Sequence, residues 1–158
     1  MPTKKNNLAT PESPEDEKVF SNIEEFGCHV VNILEGKNNP PFAFSVGLYH
    51  RFQHPEILII GLTHDLMHPI INLIKDEIAE GKKFVPEQMY QGFLEGFDVT
   101  FRNVDTAHYK EYLGTALWFY QSYDFPTLQC IWPTTKGYFP WDKDYPEDLM
   151  EWQRLFDK

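Results

Sequence analysis

The sequence predicts an α+β domain, a mostly antiparallel or mixed sheet packed against two main helices. Three observations lead there. The apolar period alternates along the chain between strand-like and helix-like stretches, giving the order helix, strand, strand, strand, helix, strand, helix, strand. The connections before the long helix are short, which suits antiparallel neighbours better than helical crossovers. Finally, 158 residues with 42% hydrophobic and 16% aromatic content suffice for one ordinary core.

Residues 1 to 17 are polar, punctuated by proline and end in ESPEDE, so they read as a flexible arm preceding a single domain over residues 18 to 158. A first helix is expected around Glu17 to Glu25. Phe26 to Glu35, FGCHVVNILE, is rich in β-branched residues and closes at Gly36 to Pro40, a loop that leads into the strand PFAFSVGLY. The run EILIIGL, Glu56 to Leu62, is apolar on both parities and suits a strand covered on both faces. Leu66, Ile70, Ile74 and Ile78 then recur every four residues up to Gly81. Because Pro69 lacks an N–H and disfavours the helical conformation at His68, this helix is expected to start at Pro69, with Thr63 to His68 a separate turn.

KKFVPEQMYQGFLEG reads as a loop with one helical turn near Glu87, and FDVTFRNV as a half-buried strand with Phe97, Val99 and Phe101 inward. Asp105 or Thr106 can cap a helix whose Tyr109, Tyr112, Leu113, Ala116, Phe119 and Tyr120 form one apolar stripe. Phe125 to Trp132 is the last strand, and a final helix carries Leu149, Trp152 and Phe156. Cys28 and Cys130 lie in apolar runs and are expected to be buried free thiols.

Fourteen Lys and Arg against 24 Asp and Glu give a formal charge of −10, which opposes attraction to phosphate backbones and anionic lipid. Nucleic acid is therefore not an expected partner. No stretch approaches the ~20 apolar residues of a membrane span, and the first residues lack the apolar run of a secretory signal, so no membrane association and a cytoplasmic location are expected.

Chemistry concentrates in YHRFQHPE, between two strand-like runs. His54 and Glu56 flank Pro55 in an i, i+2 relation that would place them on one face of an extended chain at the sheet rim, where His54 could act as a general base oriented by Glu56. Alternatively, Glu56 caps a neighbouring helix or pairs with Arg51 while His54 bonds a carbonyl. On the preceding strand Ala43, Ser45 and Gly47 form a bare face, open to either a helix or a ligand. A trough floored by Ser45 and Gly47, with Arg102 and Gln129 as polar walls and Tyr109 and Trp132 as apolar walls, follows from the ligand reading.

His64 and His68 have the i, i+4 spacing of two metal ligands, but Pro69 argues against one helix through both, and no metal site is assigned. Neighbouring Cys28 and His29 would point to opposite faces of a strand. There is no G-x-S-x-G elbow, P-loop or G-x-G-x-x-G, and no motif identifies a cofactor.

The succession PFAFSVGL, HPEILIIGL, a helix with His68 and Asn72 ending in EGKKF, then HYKEYLGTALWFY, FPTLQCIWP and GYFPW resembles the domain-of-unknown-function family 4262 over about residues 26 to 141. The resemblance implies a small bacterial cytoplasmic α+β domain of no assigned activity. It directs attention to Ser45, Gly47, His54, Pro55, Glu56, His108, Tyr109, Gln129, Trp132 and Trp141, and His29 also fits its pattern. Three functions are expected to compete: a small-molecule-binding module with its pocket at the His54/Glu56 rim, a small enzyme using His54, and an acidic protein that binds a basic protein partner, as an immunity factor does.

Overall fold

The computed structural model describes residues 7–158. Six strands form one sheet in the order β1-β2-β3-β6-β5-β4: β1 His29–Ile33, β2 Phe42–Val46, β3 Glu56–Ile60, β4 Tyr90–Leu94, β5 Phe97–Asn103 and β6 Thr127–Ile131. Every neighbouring pair is antiparallel except the central β3 and β6, which run parallel with Glu56 opposite Thr127. The sheet is thus mixed, and the fold is α+β.

Helices cover both faces, which is why the two central strands are buried along their whole length. On one face α3, His64–Ala79, packs Met67, Ile70, Ile71 and Ile74 against Ala43, Ile57, Ile59 and Phe101. On the other, α1 (Pro14–Phe26) and α5 (Gly114–Tyr120) place Val19, Ile23, Ala116 and Phe119 over Phe44, Val46, Leu58 and Ile60. Alternate residues of β3 therefore feed two separate cores, as the period-two side-chain rule requires. Cys28 and Cys130 are buried free thiols.

Several elements differ from the sequence expectation. The first helix begins at Pro14, because the Ser13 hydroxyl accepts from the Asp16 N–H and Pro14 occupies the first turn, with three acidic residues after it. Ala9 donates its N–H to Phe119 O, so residues of the expected arm lie on the body; residues 1 to 6 of that arm fall outside the described residues. The strand PFAFSVGLY stops at Val46. Gly47 turns the chain at φ 110° into a short helix, α2 Leu48–Phe52.

α3 is continuous from His64, with Thr63 at its N-cap. Pro69 is tolerated because it and Asp65 are exposed, so the Asp65 carbonyl left without an N–H partner can be met by water. The stripe from Tyr109 to Tyr120 breaks at Leu113, φ −118° and ψ 43°, into α4 (Tyr109–Tyr112) and α5, and Asp105 caps only a 3₁₀ turn before α4. α6, Glu147–Trp152, ends before Phe156. The segment expected to be a loop before β5 contains β4.

Candidate functional site

The centre expected at YHRFQHPE is a sealed structural knot. Glu56 is fully buried, and its carboxylate accepts from the Ser45 hydroxyl at 2.7 Å, from the N–H groups of Gly47 at 2.9 Å, Leu48 at 3.2 Å and Tyr49 at 3.2 Å, and from the Tyr120 hydroxyl. Three of those donors are the free N–H groups that open α2, so Glu56, reaching from β3, caps that helix. Burial pushes its carboxyl up, while the donors hold the charged form. Each of its two oxygens is met by donors only.

Ser45 is buried too, and its oxygen also accepts the Ile57 N–H at 2.9 Å, tying β2 to β3. A Cβ at Gly47 would sit 2.7 Å from Ile23 Cγ1, so the bare face of β2 is filled by helices: α3 lies over Ala43 and α1 meets Gly47. Arg51 turns away from Glu56, donating to the carbonyls of Ile23 and Glu24 at the end of α1.

His54, 3% exposed, does not join Glu56. Its Nδ1–H donates to Pro55 O at 2.9 Å, and its Nε2 accepts the Phe84 N–H at 3.0 Å. Both ring nitrogens are taken, and the ring sits edge-on to Phe84. Burial lowers its pKa from the ordinary 6.5 and the bonding pattern fixes one neutral tautomer. No lone pair is left for a proton acceptor.

The other expected contacts serve the chain itself. The Gln129 Nε2 donates to Arg154 O at 2.6 Å and its Oε1 accepts the Phe156 N–H at 3.1 Å, pinning the C-terminal segment onto β6. Arg102 pairs with Asp157 at 3.0 Å and stacks 4.2 Å over the Trp141 ring. Tyr109 is core, with its hydroxyl donating to Phe125 O at 2.6 Å. His108 Nε2 bonds Lys158 O at 2.6 Å.

Trp132 stands elsewhere. It follows β6 directly, whereas His54 precedes β3, and because those strands are parallel the two residues lie at opposite rims, roughly 23 Å apart along the strands at about 3.3 Å per residue. No single pocket can hold both. At the Trp132 rim a cleft of about 520 Å³ is lined by Leu62, Leu94, Phe97, Trp132, Tyr138 and Leu149, with Lys136 and Asp144 at its edge. Gly61 makes the floor close: at φ 98°, a Cβ there would lie 2.9 Å from Trp132 Cζ2. The Trp132 Nε1–H is held by Ile60 O at 2.8 Å and its backbone N–H by Gln153 Oε1 at 3.0 Å, so the indole is fixed rather than adaptable.

The i, i+4 pair on α3 is realised but spent on β1. His64 Nε2–H donates to Ile33 O at 2.9 Å, and His68 Nδ1 accepts from Asn32 Nδ2 at 3.0 Å. Among the described residues no group of three or more His, Cys, Asp or Glu side chains is placed to hold a metal ion. No described helix is long and apolar enough to cross a membrane.

The fold and clefts together define a compact mixed-sheet α+β domain whose open chemistry lies at its rims. The family designated Domain of unknown function (DUF4262) matches residues 22–146, most of the chain, and the protein belongs to it. Comparison with curated proteins and with solved structures returned no match.

Proposed function

We propose that the protein is a small-molecule-binding module whose ligand takes the cleft beside Trp132. The observation that supports this most is the position of that cleft. It lies where the two parallel central strands end, the place where open sheets with parallel strands leave a crevice beyond their carboxyl ends. Its size is within the range of small-molecule sites, and a fixed indole with aliphatic neighbours suits a flat apolar group, with Lys136 and Asp144 supplying charge at the mouth.

The rim at His54 and Glu56 offers less to such a reading, because both ring nitrogens of His54 and both carboxylate oxygens of Glu56 have partners within the protein. For the same reason, general-base catalysis by His54 has no support in the geometry. Binding of a basic protein partner rests on the charge of −10 alone.

The test is titration with 1-anilinonaphthalene-8-sulfonate, read by energy transfer from tryptophan. Saturable binding beside Trp132 is expected, and that component is abolished in Leu149→Arg, whose side chain would enter the cleft. Unchanged binding in a folded Leu149→Arg protein would reject the assignment.

A further inference from the structure

A second cleft, of about 420 Å³, lies between α1, the start of β1 and α3. Its apolar wall is Phe26, Cys28 and Val30, and its polar wall is Asn72 and Lys75 together with His68. The Cys28 thiol is inert there: burial and the neighbouring Glu56 charge push it up to about 12, although Lys75 pulls the other way. The reactive-thiol reading therefore drops out, and what remains is an array of hydrogen-bond donors.

Two amides set that array. Asn22 Nδ2 donates to His29 Nδ1 at 2.9 Å, and Asn32 Nδ2 donates to His68 Nδ1 at 3.0 Å. A neutral imidazole that accepts at Nδ1 must carry its proton on Nε2. Each ring is thus committed to offering an N–H, never a lone pair, to whatever comes next. The two rings are close enough for His29 to feel the charge of His68, and Lys18 adds a further positive charge near His29.

Lys75 completes the arrangement. Its side chain is only 14% exposed, with its Cδ packed near Gly27, so the ammonium is presented at a defined place. The one carboxylate lining the cleft, Asp76, is 2.8 Å from that ammonium and is partnered by it. The lining thus carries one paired ammonium and carboxylate with the N–H donors of Asn72 and His68 beside them, against an apolar wall.

We propose that this cleft binds a small organic carboxylate, its apolar part against Phe26 and Val30 and its charge on Lys75, Asn72 and the His68 Nε2–H. A wall of this kind selects a molecule with both parts. Neither an uncharged aromatic nor a bare inorganic anion satisfies it. The site is separate from the Trp132 cleft and shares no lining residue with it.

The experiment is a titration of the full chain, labelled with ¹⁵N in its histidine rings, at pH 7.5 with benzoate, with benzamide and acetate as matched probes. Saturable movement of the His68 and His29 ring signals by benzoate, little by benzamide, is the expected result. Lys75→Met should weaken benzoate by at least about tenfold, the usual effect of losing a charge-assisted hydrogen bond. Phe26→Ser, at a residue 53% exposed and so tolerant of change, should erase the preference for benzoate over acetate. Equal responses to benzoate and benzamide, or benzoate affinity unchanged in both variants, would overturn the proposal.

Discussion

Replacing Glu56 by glutamine tests the buried knot at its centre. The carboxylate receives five donors, distributed over both oxygens. A carboxamide keeps one acceptor oxygen and turns the other position into an NH₂. If the NH₂ replaces Oε2, the Gly47 and Tyr49 N–H groups face a donor; if it replaces Oε1, the Leu48 N–H does. In either orientation at least one buried backbone N–H is orphaned, at about 1–3 kcal/mol each, and the charge that favours the start of α2 is lost.

Relief of the desolvated charge offsets part of this, leaving an expected loss of about 2–4 kcal/mol. That is a large share of the roughly 5–15 kcal/mol that holds a domain together. Urea unfolding followed by circular dichroism measures it, with the slope of the transition required to match the wild type. A loss below about 1 kcal/mol would refute the reasoning, since it would mean that the carboxyl is already protonated in the fold.

Three further outcomes are expected. Burial holds His54 below its ordinary 6.5, and burial with the charges of His68 and Lys18 does so for His29. The unfolded chain therefore binds these protons more readily, so stability present above pH 6.5 is lost as pH falls through the lower folded-state values, by up to about 1.4 kcal/mol per pH unit per proton. Chemical denaturation between pH 5 and 7.5 should show this slope, and His54→Gln should flatten it; an identical slope in the variant contradicts the assignment. Gly47→Ala should cost about 2–4 kcal/mol, combining left-handed strain with collision against Ile23, whereas Gly137→Ala, at φ 88° with nothing within 4 Å, should cost only the strain, about 1–2 kcal/mol. Equal melting temperatures for the two would defeat the packing argument. Iodoacetamide at pH 7.5 should leave both cysteines unmodified until denaturant is added, as intact mass will show; rapid labelling of Cys28 in the folded protein would contradict its burial.

Elements with one strong period were legible in the sequence. The Ile70, Ile74 and Ile78 face of α3 and the doubly apolar run of β3 stand in the fold where the pattern put them, whereas Leu66, in the first turn, is exposed. What was hidden depends on partners far along the chain. α2 is only five residues long, and its start is capped by Glu56 rather than by a neighbour in sequence, so local propensity had nothing to register. β4 carries a bulge and Gly92 at φ 100°, which break the alternation that would have marked it. The start of α1, by contrast, was readable: Ser13, Pro14 and the acids after them form a helix opening that the polar composition masked.

The site was legible as a set of unusual residues but not as a place. Glu56 as a helix cap was one of the two alternatives the sequence left open. That Trp132 and His54 belong to opposite rims follows only from the parallel pairing of β3 with β6, which no local pattern encodes. The cleft against β1 had a visible sign in His68 and Asn72, but it takes the approach of α3 to β1 to set them against Cys28 and Val30.

The strand order has a kinetic consequence. β1, β2 and β3 are neighbours both in sequence and in space, and so are β4, β5 and β6; only the seam between β3 and β6 joins distant stretches of chain. Closing that seam means bringing Glu56 opposite Thr127 before any contact across it gives a return. Each half can sample its own pairings quickly, but neither can cover both faces of its innermost strand alone. The search for the seam then sets the folding rate, so refolding should respond more to changes at Leu58 and Leu128 than to changes in the β4–β5 hairpin.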